Sequence, residues 1–318
     1  MKWLRRCIES VCRSSLPLDL FVVDNCSTDN TVQYLRDLAD QKIITKLVES
    51  ETNSGFGAAN NIGINYAVAN GYDYVYLLNQ DAYLYEDTIA KLIDIHKRHP
   101  EYGVLSPFQI QGNELHLDEQ FANYVCSYDS NPQLINDIYY GRLDEVYSVP
   151  LVMAAHWLIS IECLKQVGAF SPTFPHYAED DNYDDRVIYH GMKVGICPGA
   201  RAIHDREDVV WSKTKIEYIH YTMMLRHLSN INMHYGNGNL LWYAIKCCIE
   251  GRSFLPAKYY FRVLKRYSTI KANRKRSLLP GAFLDSTPPQ FKMLIYCLLQ
   301  PHKLSSLRFQ APYSALAA

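Results

Sequence analysis

LDLFVVDNCSTDNTVQYLRDLAD, residues 18–40, joins two patterns of opposite character. LDLFVVD is a short apolar run of β type that ends on an acid, Asp24. Thr28 and Asp29 then offer the oxygen-bearing side chains of a helix start, and Val32, Leu35 and Leu38 follow at helical spacing.

The alternation continues along the chain. KIITKLVES (42–50) reads as strand, GAANNIGINYAVANG (57–71) as helix and YDYVYLLNQD (72–81) as a buried strand. YEDTIAKLIDIHKRHP (85–100) is a capped helix stopped by Pro100, and YGVLSPF (102–108) is again strand. Such β/α alternation predicts an α/β fold, a mostly parallel sheet flanked by helices. Ligands in such sheets collect beyond the carboxyl ends of the strands, where Asp24 and Asp81 fall. Ahead of this series, WLRRCIESVC (3–12) sets Trp3, Leu4, Cys7, Ile8, Val11 and Cys12 on one helical face. A doubly wound sheet normally opens with a strand that carries a first ligand loop, so the first strand is expected to be missing ahead of this helix.

From about 109 to 150 the periodicity dissolves into Asn, Asp, Tyr and Gly, the mark of a long functional loop. VPLVMAAHWLISIECLKQVGAF (149–170) restores order as a strand that turns into helix near Ile161. KVGICPGARAIHDRED (193–208) then reads as a strand with a turn and one histidine, His204. Between them, HYAEDDNYDDRVIYHG (176–191) packs Glu179, Asp180, Asp181, Asp184 and Asp185 into seven residues. Crowded negative charge raises the proton affinity of a carboxylate, and acids at a helix N-terminus also complement its dipole.

Composition narrows the class. With 318 residues, 48% of them hydrophobic, the chain can bury a catalytic-sized core plus an appendage, which excludes disorder. Nine cysteines, an odd number without a C-x-x-C pair, suit buried thiols in a reducing compartment. No signal-peptide apolar region and no run of 18 apolar residues is visible, so a cytoplasmic protein is expected. The net charge of −1 conceals an asymmetry: from residue 251 onward, 12 lysines and arginines face the single acid Asp285. AKYYFRVLKRYSTIKANRKR (257–276) suits either a helix with a solvated basic face or one lying on anionic lipid. The expected partition is a catalytic domain over 1–215 and a basic helical region over 216–318, peripheral at the inner face of the cell membrane and without a nucleic-acid partner.

VVDNCSTDNT, NSGFGAANNIGI, YLLNQDAYL, FPHYAEDDNYDDRVIYHGMKVG and AIHDRED, in this order and at these spacings, resemble family 2 glycosyltransferases of the GT-A fold, especially their bacterial rhamnosyltransferase-like branch. The resemblance spans about residues 1–215. It implies an inverting, metal-dependent hexosyl- or deoxyhexosyltransferase. Such an enzyme moves sugar from a nucleotide-diphosphate donor to a hydroxyl of a glycan or lipid-linked acceptor in cell-surface polysaccharide synthesis. The family's D-x-D motif reads Asn79-Gln80-Asp81 here; Asp81 would hold Mn²⁺ or Mg²⁺, and Asn79 would bond ribose or a metal-bound water. His204 matches the family's late histidine, and imidazole beside carboxylate favours Mn²⁺.

Asp24 resembles the acid that receives the nucleotide base, with Asn25 beside it. Asn53, Gly55, Gly57 and Asn60 resemble the loop around the donor, where glycine permits close backbone approach and a helix start favours anions. The loop lacks the Gly-Lys-Ser/Thr of a P-loop, so no ATPase is implied. The family's E-D-x-D segment reads Glu179-Asp180-Asp181-Asn182: Asp180 is the expected general base, Glu179 its reserve, and Asn182 replaces the second aspartate. Arg186 is expected to pair with Asp184 or Asp185, and His156 and Trp157 to stack on acceptor sugar. A glycoside hydrolase also needs paired carboxylates but leaves Asp24, Asp81 and the Gly-rich loop without purpose. A non-catalytic carbohydrate-binding or scaffold protein derived from a transferase is the alternative that Asn79 and the absent first strand keep open.

Overall fold

Alternate residues of β1 (Asp19–Asp24) enter two different cores, which explains its unbroken apolar run. Leu20 and Val22 pack with α1 (Leu4–Cys12), α2 (Thr31–Asp40) and α4 (Thr88–Arg98). Phe21 and Val23 face the core shared by α3 (Phe56–Asn70), α7 (Ile161–Val167) and α8 (Glu179–Tyr189). This computed structural model describes residues 2–206, 212–233, 237–250, 254–285 and 294–299.

The sheet runs β2 (Lys46–Glu49), β1, β9 (Leu294–Leu299), β3 (Tyr74–Asn79), β7 (His156–Ser160), β5 (Tyr102–Gln111), β8 (Lys193–His204) and β4 (Ala82–Leu84), with β6 (Tyr147–Val149) also on β8. Strands β2, β1, β9 and β3 are mutually parallel, as the βα alternation predicts. Beyond β3 the sheet is mixed: β7 is antiparallel to both neighbours, β5 and β8 are parallel, and β4 and β6 oppose β8.

The first described element is helix α1, and no strand precedes it among the described residues. The sheet nevertheless has no gap. β9 lies between β1 and β3, parallel to both, with Leu299 in register with Asp24 and Leu298 with Asn79. The region after residue 216, expected to be helical, therefore also contributes a central strand. Its helices are α9 (Lys213–Ser229), α10 (Asn237–Glu250), α11 (Leu255–Lys265) and α12 (Tyr267–Arg276), around a third core of Tyr221, Met224, Leu225, Leu240, Ala244 and Val263.

The segment expected to be a loop after residue 109 carries two short helices, α5 (Glu119–Val125) and α6 (Pro132–Tyr140). Asp118 caps the first by accepting from Phe121 N, Asn131 caps the second by accepting from Leu134 N, and Gly141 closes α6 in the left-handed region. These caps were present in the sequence, but each helix is too short for apolar periodicity to register.

Candidate active site

The site is built where the parallel strands end. Asp24 closes β1; its Oδ2 accepts from Ser27 N at 3.0 Å, and its buried Oδ1 has no partner. That orphaned oxygen is suited to a donor from a bound base or ribose. Asn25 is engaged otherwise: Oδ1 accepts from Ser54 N and Ser54 Oγ, and Nδ2 donates to Asn53 Oδ1, which also accepts from Gly55 N. These two asparagines shape the loop. Asn60 is buried and donates to Phe56 O within its own helix.

The chain's own packing requires glycine at 55 and leaves little room beside Gly57. Gly55 has φ +84°, and a Cβ there would stand 2.0 Å from Pro175 O. A Cβ on Gly57 would meet Phe170 Cβ at 3.1 Å and Glu179 Cβ at 3.6 Å. Close approach at this helix start thus comes from the 170–179 segment, which seats the 53–57 loop against the acidic helix.

Asp81 lies in the turn between β3 and β4. Because β4 pairs with β8, Ala82 stands opposite His204, and Asp205 N donates to Asp81 O at 2.7 Å. His204 Nε2 is 3.6 Å from Asp81 Oδ1. Two atoms that ligate one divalent cation at about 2.1 Å each, at roughly right angles, lie about 3 Å apart, so this oxygen–nitrogen pair fits such an ion after a small adjustment. No cluster of three or more His, Cys, Asp or Glu side chains suited to a metal forms among the described residues. On its far side, His204 Nδ1 meets Gln109 Oε1 at 3.3 Å, Arg206 Nη2 at 2.8 Å and Asp118 Oδ2 at 3.7 Å. If Nδ1–H donates to Gln109 or Asp118, Nε2 keeps its lone pair for a cation; if Arg206 donates to Nδ1, Nε2 carries the proton toward Asp81. Burial acts to raise the Asp81 carboxyl, but His204 and Arg206 outweigh it and hold it below the usual carboxylate range.

The acidic run begins α8. Tyr177 and Ala178, just before it, both adopt φ +64°, two successive left-handed residues that each cost about 1–2 kcal/mol. Glu179 is buried, its Oε2 has no partner, and burial together with Asp180 raises its carboxyl well above the usual carboxylate range. Asp180 accepts from Asp181 N at 3.0 Å and Ala154 N at 3.4 Å; burial raises it and those N–H groups pull it back. Asp181 is pushed up to about 7 by burial and Asp180, against the opposing pull of Arg226. Asp184 accepts from Val152 N at 2.8 Å. The Arg186 pairing expected from helical spacing does not occur. Arg186 is fully buried and donates to Ala169 O and Val167 O, while Arg226, on α9, pairs with Asp181 at 3.2 Å and Asp185 at 3.2 Å.

One strip, Val152–His156, joins the two acid sets. Its Val152 and Ala154 N–H groups reach Asp184 and Asp180, and its Ala155 C=O accepts from Asn79 N at 3.2 Å. The strip also corrects the acceptor expectation. Trp157 is 0% exposed, donates to Val152 O and stacks on Phe170. His156 is likewise 0% exposed, with Nδ1 on the Tyr76 hydroxyl and Nε2 on Ile203 O, and burial together with His204 lowers its pKa to about 3. Neither ring has a face to offer a sugar.

Glycosyl transferase family 2 matches residues 1–165, just over half of the chain. The chain belongs to that family. An "Uncharacterized glycosyltransferase" of Haemophilus influenzae is 23% identical over 156 residues, 47% of this chain and 61% of that protein, so the chain spans less than two thirds of this curated relative. The structure of S. aureus TarS 1-349 matches with TM-score 0.51 and 15% identity, covering 87% of this chain and 77% of that one. GalNAc-T7 with UDP, GalNAc and Mn²⁺ matches with TM-score 0.50 and 14% identity, covering 84% and 55%. These likenesses show the GT-A fold. In this family 2 chain, Gln109, Asp118 and Arg226 stand against the expected site residues although no motif pointed to them, and so does Arg206, which lies within AIHDRED but was given no role there. Arg206 sits two places after His204, and Asp118 precedes a helix, but neither pattern reveals its partner.

Proposed function

We propose that the protein is an inverting, metal-dependent glycosyltransferase that moves a hexosyl or deoxyhexosyl group, as in the rhamnosyltransferase-like branch, from a nucleotide-diphosphate donor to a hydroxyl. The acceptor would be a glycan or lipid-linked glycan of cell-surface polysaccharide synthesis, met at the inner face of the cell membrane. The observation that supports this reading is the 152–156 strip, which bonds Asp180 on one side and the Asn79–Asp81 turn on the other. UDP and Mn²⁺ in the GalNAc-T7 structure support the same classes of donor and cation here.

Asp24 Oδ1 would accept from the base or ribose, with Asn25, Asn53, Gly55, Gly57 and Asn60 holding the loop beside it and Asn79 in reach of the ribose. Asp81 and His204 would hold Mn²⁺ or Mg²⁺. When bound, the cation supplies positive charge against the diphosphate. Asp180 would take the proton of the acceptor hydroxyl as that oxygen bonds to the anomeric carbon and the nucleoside diphosphate departs with the bonding pair. Glu179, its carboxyl raised by burial, would orient a sugar hydroxyl and stand as the reserve base.

Nucleotide release from a panel of sugar nucleotides, with and without Mn²⁺, tests the assignment. Asp180→Ala should lower turnover by about 10²–10⁴ and leave donor binding intact, whereas Asp81→Ala should abolish metal-dependent donor binding. Unchanged turnover in a folded Asp180→Ala variant would refute the proposed base.

A further inference from the structure

We propose that the outward faces of α10 and α11 form a docking surface for an anionic lipid bilayer. Helix α10 is apolar on two sides. Leu240, Ala244 and Cys247 are buried, the first two in the core shared with α9 and Val263 of α11. Leu241, Trp242, Ile245 and Ile249, at helical spacing on the other side, are exposed, Trp242 to 69%. Phe254, just before α11, is 90% exposed, and Phe261 stands on the outward face of α11 beside exposed Lys258, Arg262 and Lys265. A helix that merely meets water carries polar groups at such positions, and grouped large apolar side chains mark an interaction site.

Charge selects the occupant. From 237 to 276 the sequence holds ten lysines and arginines against one acid, Glu250. Apolar side chains with a tryptophan, bordered by cations and almost free of carboxylates, match the boundary between acyl chains and anionic headgroups. A second copy of the chain would set the same cations against each other, and like charges facing across an interface are unfavourable.

The surface is braced to the acidic helix. α9 contributes Met224 and Leu225 to the core beneath α10, and its Arg226 pairs with Asp181 and Asp185. Docking would therefore hold α8 at a fixed height over the bilayer. That consequence rests on the proposed lipid-linked acceptor; the docking itself does not.

Vesicle co-sedimentation of the full chain tests it, using equimolar phosphatidylglycerol and phosphatidylcholine against phosphatidylcholine alone. Binding should favour the anionic vesicles by about tenfold and weaken in high salt. Trp242→Glu with Ile245→Glu should reduce it by about tenfold or more. Lys258→Glu with Lys265→Glu, at exposed sites that folding does not need, should remove the preference for anionic lipid. Asp180→Ala should bind vesicles like the parent while losing turnover, so failure of docking and failure of the transferase reading are separately visible. Absence of vesicle binding, equal binding by parent and Trp242→Glu/Ile245→Glu variant, or a dimer in sedimentation velocity that these two substitutions dissociate without any vesicle binding would each overturn the proposal.

Discussion

Asp180 and Asp181 share a helical turn but not an environment. Burial raises both, two backbone N–H groups restrain Asp180, and Arg226 opposes the rise of Asp181 to about 7. A base in this pair is active only when ionised, so kcat/KM should climb with pH to a plateau, the rise lying above the usual carboxylate range. Arg226→Met, which removes the cation facing Asp181 and Asp185, should move the rise to higher pH; an unmoved profile would show that Arg226 has no part in setting the base. The stability effect has the opposite sign. With folded pKa values above the unfolded ones, these two acids bind more protons in the native state, so their contribution to stability is fully present below about pH 4 and is lost as pH rises through about 7. Asp181→Asn should therefore raise the free energy of unfolding at pH 8 by about 1–3 kcal/mol in urea denaturation, with little effect at pH 4. The acids themselves were legible in the sequence because they sit together in one segment. Their partners were not: Arg226 lies 41 residues from Asp185 and Arg206 lies 88 from Asp118, distances over which local pattern carries no information. His156 and Trp157 misled because their strand is buried on both faces, where alternation cannot tell inside from outside.

Elements with strong local pattern agree with the structure: α1, α2, α3, α4, β1 and β3 all stand where periodicity placed them, although the N-cap of α2 is Asn30 rather than the expected Thr28 or Asp29 and makes no side-chain cap bond. β9 does not follow from such pattern. Its slot is defined by strands β1 and β3, more than 200 residues away in the chain, and non-local pairing leaves no local mark. Deleting residues 294–318 should therefore part the parallel half of the sheet and abolish cooperative thermal unfolding. A truncated protein that melts like the full chain would mean that β9 adds nothing to the sheet. The Gly55 turn is a second element-scale joint. Gly55→Ala meets both a backbone region that side chains avoid and the Pro175 carbonyl, so it should cost about 2–3 kcal/mol or more in urea denaturation and loosen the seat between the 53–57 loop and α8.

Across the whole molecule, two cores flank one sheet and a third gathers α9 to α12 with Phe174 and Ala178, while β9 from the same basic region lies in the sheet between β1 and β3. No helix among the described residues is long and apolar enough to cross a membrane. Of the eight cysteines whose side chains are described, Cys7, Cys163, Cys197 and Cys247 are buried thiols as expected, whereas Cys12 is exposed and Cys26, Cys126 and Cys248 are half-buried. What unites the divisions is a single proposed site, with Asp81 and His204 on one flank and Asp180 on the other. A crystal of the full chain grown with UDP and Mn²⁺, with the cation located by its anomalous scattering, measures that arrangement directly. Manganese on Asp81 and His204, with the diphosphate directed toward Asp180, is the expected result. Manganese bound elsewhere, or a diphosphate in a cavity that Asp180 does not face, would contradict it.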